Sequence, residues 1–268
     1  MAATLIVIGG GRMGTALVEG ILASGYLAPD EIVIVEPDAE RRAMLRLAHD
    51  DLILVDTPQI DHIDERTGAI LAVKPEIAES ATRLIGGLGI PRILSIVAGI
   101  PAQRLEAVLP GPIPVVRAMP NTPALVGAGV SAIAGGSHVT KADLDWAEEL
   151  LSSVGTVVRV AERYLDAVTG VSGSGPAYIF LVAEALIEAG VTAGLTRETA
   201  KVLATETIYG AGKMLVESGQ SPEELRAQVT SPGGTTAAAL RSLESRAVRS
   251  AFVEAVMAAV ERSRSMAR

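Results

Sequence analysis

Residues 4–21 read TLIVIGGGRMGTALVEGI. The apolar run Leu5–Ile8 has the length and composition of a short strand buried on both faces. Behind it, Gly9, Gly11 and Gly14 supply the spacing GxGxxG. From Met13 to about Ala23 the apolar residues recur at helical spacing. In a strand–turn–helix setting Gly9 permits the tight turn and Gly11 lets a pyrophosphate approach the backbone. Gly14 lets the helix pack closely on the strand. The helix start around Arg12 and Met13 presents free N–H groups that hold an anion. The stretch predicts a dinucleotide-binding α/β half.

The same alternation continues outward. Further strands are expected at Glu31–Val35, Asp51–Val55, Ala69–Val73, Arg92–Ile96, Pro114–Arg117, Val130–Ala134 and Thr156–Val160, with helices at Ala39–Ala48 and Lys141–Ser152. Short buried strands joined by helices point to a parallel sheet covered on both faces. After about Glu162 the strand signal fades. Long Ala/Leu/Val/Glu-rich stretches follow at Ala177–Ala189, Arg197–Val216, Pro222–Val229 and Thr235–Arg262, the last with a break expected near Ser242–Ser245. Gly175–Pro176 is expected to start the first of these and Gly190 to end it. The division is thus 1–162, an α/β dinucleotide-binding domain, and 163–268, an all-helical domain. Ala177, Leu181, Leu186, Val202, Leu203 and Ile208 offer apolar faces that need partners. A dimer is the expectation; burial against the first domain is the alternative.

Composition narrows the classes. With 268 residues, 49% hydrophobic and 20% charged, extended disorder is excluded. The net charge of −8 and the lack of basic runs argue against a nucleic-acid surface. Cysteine is absent, which removes disulfides, a cysteine nucleophile and thiolate zinc sites. The three histidines, His49, His62 and His138, form no metal motif, so no metal is expected. No uninterrupted apolar run reaches the roughly 18–20 residues of a membrane span, and the amino terminus lacks a signal-peptide pattern. The expectation is a soluble cytoplasmic protein without a membrane partner.

Cofactor choice turns on the end of the second strand. In EIVIVEP, Glu36 lies roughly twenty residues beyond Gly14, near the spacing of an acidic ribose ligand. Its carboxylate accepts from an adenosine 2′-hydroxyl and repels a 2′-phosphate. Arg41 and Arg42 would clamp that phosphate if the loop folded back; the preferred reading makes them a solvated helix start. NAD(H) is favoured over NADP(H), with dual use open. Lys74 and Pro75 leave a strand at its carboxyl end, where open α/β sheets bind ligands. In VVRAMPNTP two prolines restrict the loop around Pro120 and Asn121, which would put Asn121 near nicotinamide or substrate. Arg117 either adds positive potential there or pairs with a carboxylate.

Several segments together, GGGRMG (9–14), AVKP (72–75), RAMPNTP (117–123), VTGVSGSGPAY (168–178), GAGKML (210–215) and VTSPGGTTAAALRSLE (229–244), resemble the pyrroline-5-carboxylate reductase family over nearly the whole chain. The resemblance implies a Rossmann-type dinucleotide-binding domain, an all-α dimerisation domain and a site at their junction. It implies NAD(P)H-dependent reduction of the small cyclic imino acid Δ1-pyrroline-5-carboxylate to L-proline, by a homodimer that in some relatives assembles five-fold into a decamer. It also implies that Ser231, Gly234, Thr235 and Thr236 surround the substrate carboxylate, with Pro120 and Asn121 near the cofactor.

The SPGGTT segment suits that role chemically. Pro232 and two glycines ahead of a helix turn successive N–H groups and the Thr235 and Thr236 hydroxyls toward one carboxylate; ordinary capping by Ser231 or Thr235 is the alternative. SGSGP at 172–176 would bring a second backbone turn close to ligand or pack as a hinge. A protonated cyclic imine is already electrophilic at C5, so no histidine acid is needed, and Thr236 is the candidate to polarise the imine nitrogen. Glu184, Glu188 and Glu206 receive no assignment. A 3-hydroxyacid dehydrogenase would need a lysine on the interdomain helix that SGSGPAYIFLVAE lacks. Reduction of another small cyclic imine and a noncatalytic NAD-binding regulator remain as alternatives.

Overall fold

The structure is a computed structural model that describes residues 4–58 and 63–266. Eight strands form one sheet: β1 (Leu5–Ile8), β2 (Ile32–Val35), β3 (Ile53–Val55), β4 (Gly68–Leu71), β5 (Ile93–Ser95), β6 (Val115–Met119), β7 (Gly129–Gly135) and β8 (Gly155–Arg159). Their spatial order is β3-β2-β1-β4-β5-β6-β7-β8. The chain moves outward from β1 in one direction, then returns to β1's other side at β4. That reversal opens a crevice beyond the carboxyl ends of β1 and β4.

Strands β1 and β2 are apolar at every position because both faces are covered. Leu5 and Val7 of β1 point into a core with Leu17 and Ile21 of helix α1 (Arg12–Ser24) and Leu150 of α5 (Lys141–Ser152). Ile6 and Ile8 point the opposite way, toward Ile85 of α3 (Ala78–Gly87) and Leu105 of α4 (Ala102–Glu106). Each such Leu or Ile contributes about 1.5–3 kcal/mol by burial.

The expected all-parallel sheet needs one correction. β6 and β7 are antiparallel, pairing Ala118 with Ile133. The link between Met119 and Gly129 holds only a 3-10 turn, Thr122–Val126, and is too short for the crossover that parallel neighbours require. Sequence pattern alone also passed over α3 and α4. Helix α2 occupies Ala39–Ala48.

Beyond β8, α6 (Leu165–Val168) runs into a π-helical turn, Thr169–Gly173. Leu165 is buried against Ala132 and Ala134 of β7, which ties this segment to the sheet. The chain divides into two compact units: one extends through Ser174 and takes back the chain from Ala258, the other is Gly175–Met257. This division falls later than the one drawn at 162/163 because α6 packs on β7, and because Ser263 donates to Asp166 Oδ1 at 2.6 Å.

The second unit holds α7 (Gly175–Thr192), α8 (Arg197–Glu217), α9 (Pro222–Gln228), α10 (Thr235–Ser245) and most of α11 (Val248–Met266). Helix α7 does not stop at Gly190. That glycine lies inside it, where a Cβ would stand 2.9 Å from the Ala200 Cβ of α8, so its small size serves helix–helix contact. The expected break in the last stretch occurs at Arg246–Ala247. Phe180 and Leu181 of α7 are 62% and 65% exposed in the single chain. The helical run Glu162–Thr192 is long and apolar enough to cross a membrane by length and composition. Its Gly and Ser residues hid it from a search for an unbroken apolar run. A helix apolar on all sides requires cover by protein or lipid.

Candidate active site

The glycine loop sits at the crevice. Gly9 has φ +106°, and a Cβ there would lie 2.5 Å from the Ala72 carbonyl oxygen beyond β4, so both backbone conformation and space demand glycine. Gly14 abuts Gly9. Gly11, by contrast, has open space where a Cβ would be. It is the N-cap of α1, with no side-chain capping bond. The first-turn N–H groups of α1, at Arg12, Met13 and Gly14, are therefore not engaged by a cap, and Arg12 is exposed beside them. A loop with room at Gly11 and uncapped amides behind it fits a dinucleotide pyrophosphate.

The β2 end is more elaborate than the sequence suggested. Glu36 is 4% exposed. Its Oε2 accepts from the Gly10 N–H at 3.0 Å and from Arg41 Nη1 at 3.2 Å, and its Oε1 accepts from the Asp38 N–H at 3.0 Å. Arg42 Nη1 donates to the carbonyls of Glu36 (2.7 Å) and Pro37 (2.8 Å). Both arginines thus fold back onto the turn instead of standing free in solvent. Asp38 caps α2 by accepting from the Arg41 N–H at 2.9 Å. That bond, with the charges of Arg41 and Arg42, holds the Asp38 carboxyl below its ordinary pKa.

Lys74 is exposed just past β4, and Pro75 begins a 3-10 turn there. Pro120 and Asn121 follow β6 and are both buried. Asn121 spends its amide on structure: Oδ1 accepts from the Val130 N–H at 2.9 Å and Nδ2 donates to the Ser172 carbonyl at 3.2 Å. It ties the Pro-rich loop to β7 and to the π-turn. Arg117 pairs with Glu162 at 2.9 Å, whose Oε1 also accepts from the Ala102 N–H at 2.7 Å. Sequence reading left Arg117 between adding positive potential and pairing with a carboxylate, and had no signal for Glu162, since 45 residues separate the pair.

In the second unit, Ser231, Pro232 and Gly233 form a turn before α10, with Gly233 at φ +70°. Gly234 is the helix N-cap and makes no side-chain cap, so neither Ser231 nor Thr235 caps α10. Thr235 is exposed and Thr236 half-buried. Among the described residues, no hydrogen bond occupies the hydroxyls of Ser231, Thr235 or Thr236. By contrast, Thr140, Thr196 and Ser221 each accept from their helix's first turn.

The remaining polar candidates stand apart. His49 contacts Glu19 at 3.0 Å, and His138 is exposed; His62 lies outside the described residues. Glu188 pairs with Arg197 at 2.8 Å, while Glu184 and Glu206 are exposed in the single chain. Among the described residues no group of His, Asp and Glu could hold a metal ion.

Residues 162–266 match the family model described as pyrroline-5-carboxylate reductase dimerisation, which identifies the helical half as a dimerisation domain. Residues 4–99 match one described as NADP oxidoreductase, coenzyme F420-dependent. The chain is 42% identical to the pyrroline-5-carboxylate reductase of Synechocystis, over 99% of each chain. It is similar to the solved structure of a pyrroline-5-carboxylate reductase from Coxiella burnetii, with TM-score 0.88, 33% identity and full coverage of both chains. The Plasmodium falciparum pyrroline carboxylate reductase, solved with NADP bound, gives TM-score 0.85 and 32% identity over 98% of each chain. Identity at this level over the whole length, on a fold with the glycine loop and the glycine-capped helix start described above, means that the chain belongs to the pyrroline-5-carboxylate reductase family.

Proposed function

We propose how this reductase, which transfers hydride from NAD(P)H to C5 of Δ1-pyrroline-5-carboxylate to give L-proline, divides the work among its residues. The observation that carries the assignment is the pair of helix starts with glycine at the N-cap, Gly11 and Gly234, neither with a side-chain cap. Gly9, Gly11, Arg12, Met13 and Gly14 hold the pyrophosphate on the amino terminus of α1. Glu36 faces the adenosine ribose, and Lys74, Pro75, Pro120 and Asn121 shape the crevice toward the nicotinamide. Ser231, Gly234, Thr235 and Thr236 take the substrate carboxylate on the amino terminus of α10.

When bound, the reduced nicotinamide supplies the hydride from its C4. The protein's part is orientation: amides fix the carboxylate, and the Thr236 hydroxyl donates toward the ring nitrogen, polarising the C=N bond. The proton on nitrogen then comes from water; where the imine binds already protonated, its N–H donates to the Thr236 oxygen instead, and in neither case is a histidine acid required. Glu36 supports a modest preference for NADH, because its carboxylate opposes a 2′-phosphate. The exposed apolar faces of α7 and α8 support a homodimer, which five-fold assembly would extend to a decamer, in the cytoplasm.

The test is initial-rate oxidation of NADH and NADPH in parallel, with and without racemic Δ1-pyrroline-5-carboxylate. Imine-dependent oxidation with matching proline formation is expected, faster with NADH. Oxidation with other cyclic imines only would redirect the substrate assignment. Nucleotide binding without turnover would favour a regulatory protein.

A further inference from the structure

Among the described residues, two arginines bond to the turn at Glu36, and they are held differently. Arg42 is committed to two backbone carbonyls, at 2.7 and 2.8 Å. Arg41 makes a single side-chain bond, 3.2 Å to Glu36 Oε2, and its side chain is half exposed. Arg41 is not the only group that holds Glu36. Two backbone donors, Gly10 N–H and Asp38 N–H, hold the carboxylate at 3.0 Å each, so it keeps two hydrogen bonds when Arg41 turns away. Arg41 stands on the first turn of α2 at the end of β2, where this class of sheet reads the adenosine 2′-position.

We infer that Arg41 is the specificity-determining residue that admits a 2′-phosphate. With a 2′-hydroxyl, the Glu36–Arg41 pair stands and the carboxylate accepts from the ribose. With a 2′-phosphate, the guanidinium leaves Glu36 for the phosphate oxygens, whose charge and fork geometry it matches better, while the two amides keep Glu36 in place. One residue's change of partner therefore gives the chain use of both cofactors despite an acidic β2 end. The inference rests on the dinucleotide-binding reading of the glycine loop.

Calorimetric titration of the full chain with ADP and with adenosine 2′,5′-bisphosphate isolates the 2′-position without turnover. Losing a charge-assisted bond should raise the ratio of dissociation constants, bisphosphate over ADP, roughly ten-fold in Arg41→Ala. Arg41→Lys should recover part of it. NADPH over NADH should follow the same ratio. An unchanged ratio in Arg41→Ala overturns the inference while leaving the nucleotide site intact. If the unaltered chain binds none of the four, the nucleotide-site reading itself falls and takes this inference with it. Circular dichroism of both variants controls for folding.

Discussion

Gly11 and Gly234 hold the same backbone conformation, φ −76° with ψ 175° and φ −76° with ψ 176°. Each is the N-cap of a helix, and each lacks a side-chain capping bond. A glycine at positive φ stands directly before Gly234, at Gly233, and two residues before Gly11, at Gly9. Asp38, Thr140, Thr196 and Ser221 cap their helices with side chains, and the uncapped starts of α3 and α4 carry Ile77 and Pro101 in place of glycine. A glycine N-cap in place of Ser, Thr or Asp forgoes only about a few tenths of a kcal/mol, and it leaves the first amides of α1 and α10 open to the anions proposed for them, a pyrophosphate and a carboxylate.

Removing the Thr236 hydroxyl tests the second of these. Thr236→Ala should raise the KM for Δ1-pyrroline-5-carboxylate and lower kcat/KM roughly ten-fold, the loss of about one good hydrogen bond. The dissociation constant of NADH, measured by its fluorescence without substrate, should stay the same. Unchanged imine kinetics would remove Thr236 from the site.

Glu36→Ala tests the β2 end. The Gly10 N–H loses its acceptor, so the glycine loop loosens and kcat/KM should fall with both cofactors. The NADH fall should be the larger, because the carboxylate that reads the 2′-hydroxyl is gone while the obstacle to phosphate is also removed. Steady-state rates with each cofactor give the ratio. A ratio unmoved by the substitution would assign Glu36 to loop support alone.

The sheet and its glycine loop were legible because local pattern decides them. Leu5–Ile8 and Ile32–Val35 are buried on both faces and read as continuous apolar runs. Gly9 announces a positive φ that other residues avoid. Long-range pairing was not legible in the same way. Nothing near Asn121 in sequence reveals that its amide joins Val130 to Ser172, and the acidic end of β2 does not disclose its bond to Gly10. The reversed β7 follows from the shortness of a link, which a strand-by-strand reading does not weigh. Gly190 misled for a related reason: a glycine late in an apolar helix marks either an end or a close contact, and only the presence of Ala200 opposite decides.

Ala247, between α10 and α11, is a residue other than glycine at positive φ, +54°. It is exposed in the single chain, so its side chain contributes little packing there. Left-handed backbone costs an L-residue about 1–2 kcal/mol, and glycine's greater freedom when unfolded returns part of that. Ala247→Gly should therefore stabilise the protein by about 0.5–1 kcal/mol. Thermal unfolding at matched protein concentration checks this, since a dimer's midpoint depends on concentration. A lowered midpoint would mean that the methyl group is buried at the subunit contact.

Acid should loosen the start of α2 at a defined point. Asp38 accepts from the Arg41 N–H at 2.9 Å, and this bond leads the causes that hold its carboxyl below the ordinary value. A carboxyl whose folded pKa is depressed stabilises the fold fully above its unfolded pKa, about 3.9, and loses that contribution as pH falls through the lower folded value. The capping bond should thus persist at pH 5 and weaken only below about pH 4. The Asp38 carboxyl carbon, followed by NMR through an acid titration, should show a midpoint below 3.9. Asp38→Asn retains an acceptor without the charge, so it should remove this site's share of the acid dependence while leaving α2 capped at pH 7. A midpoint at or above the ordinary carboxyl value would mean that the Arg41 amide does not hold Asp38 in solution. The cap would then contribute nothing to placing Arg41 over Glu36.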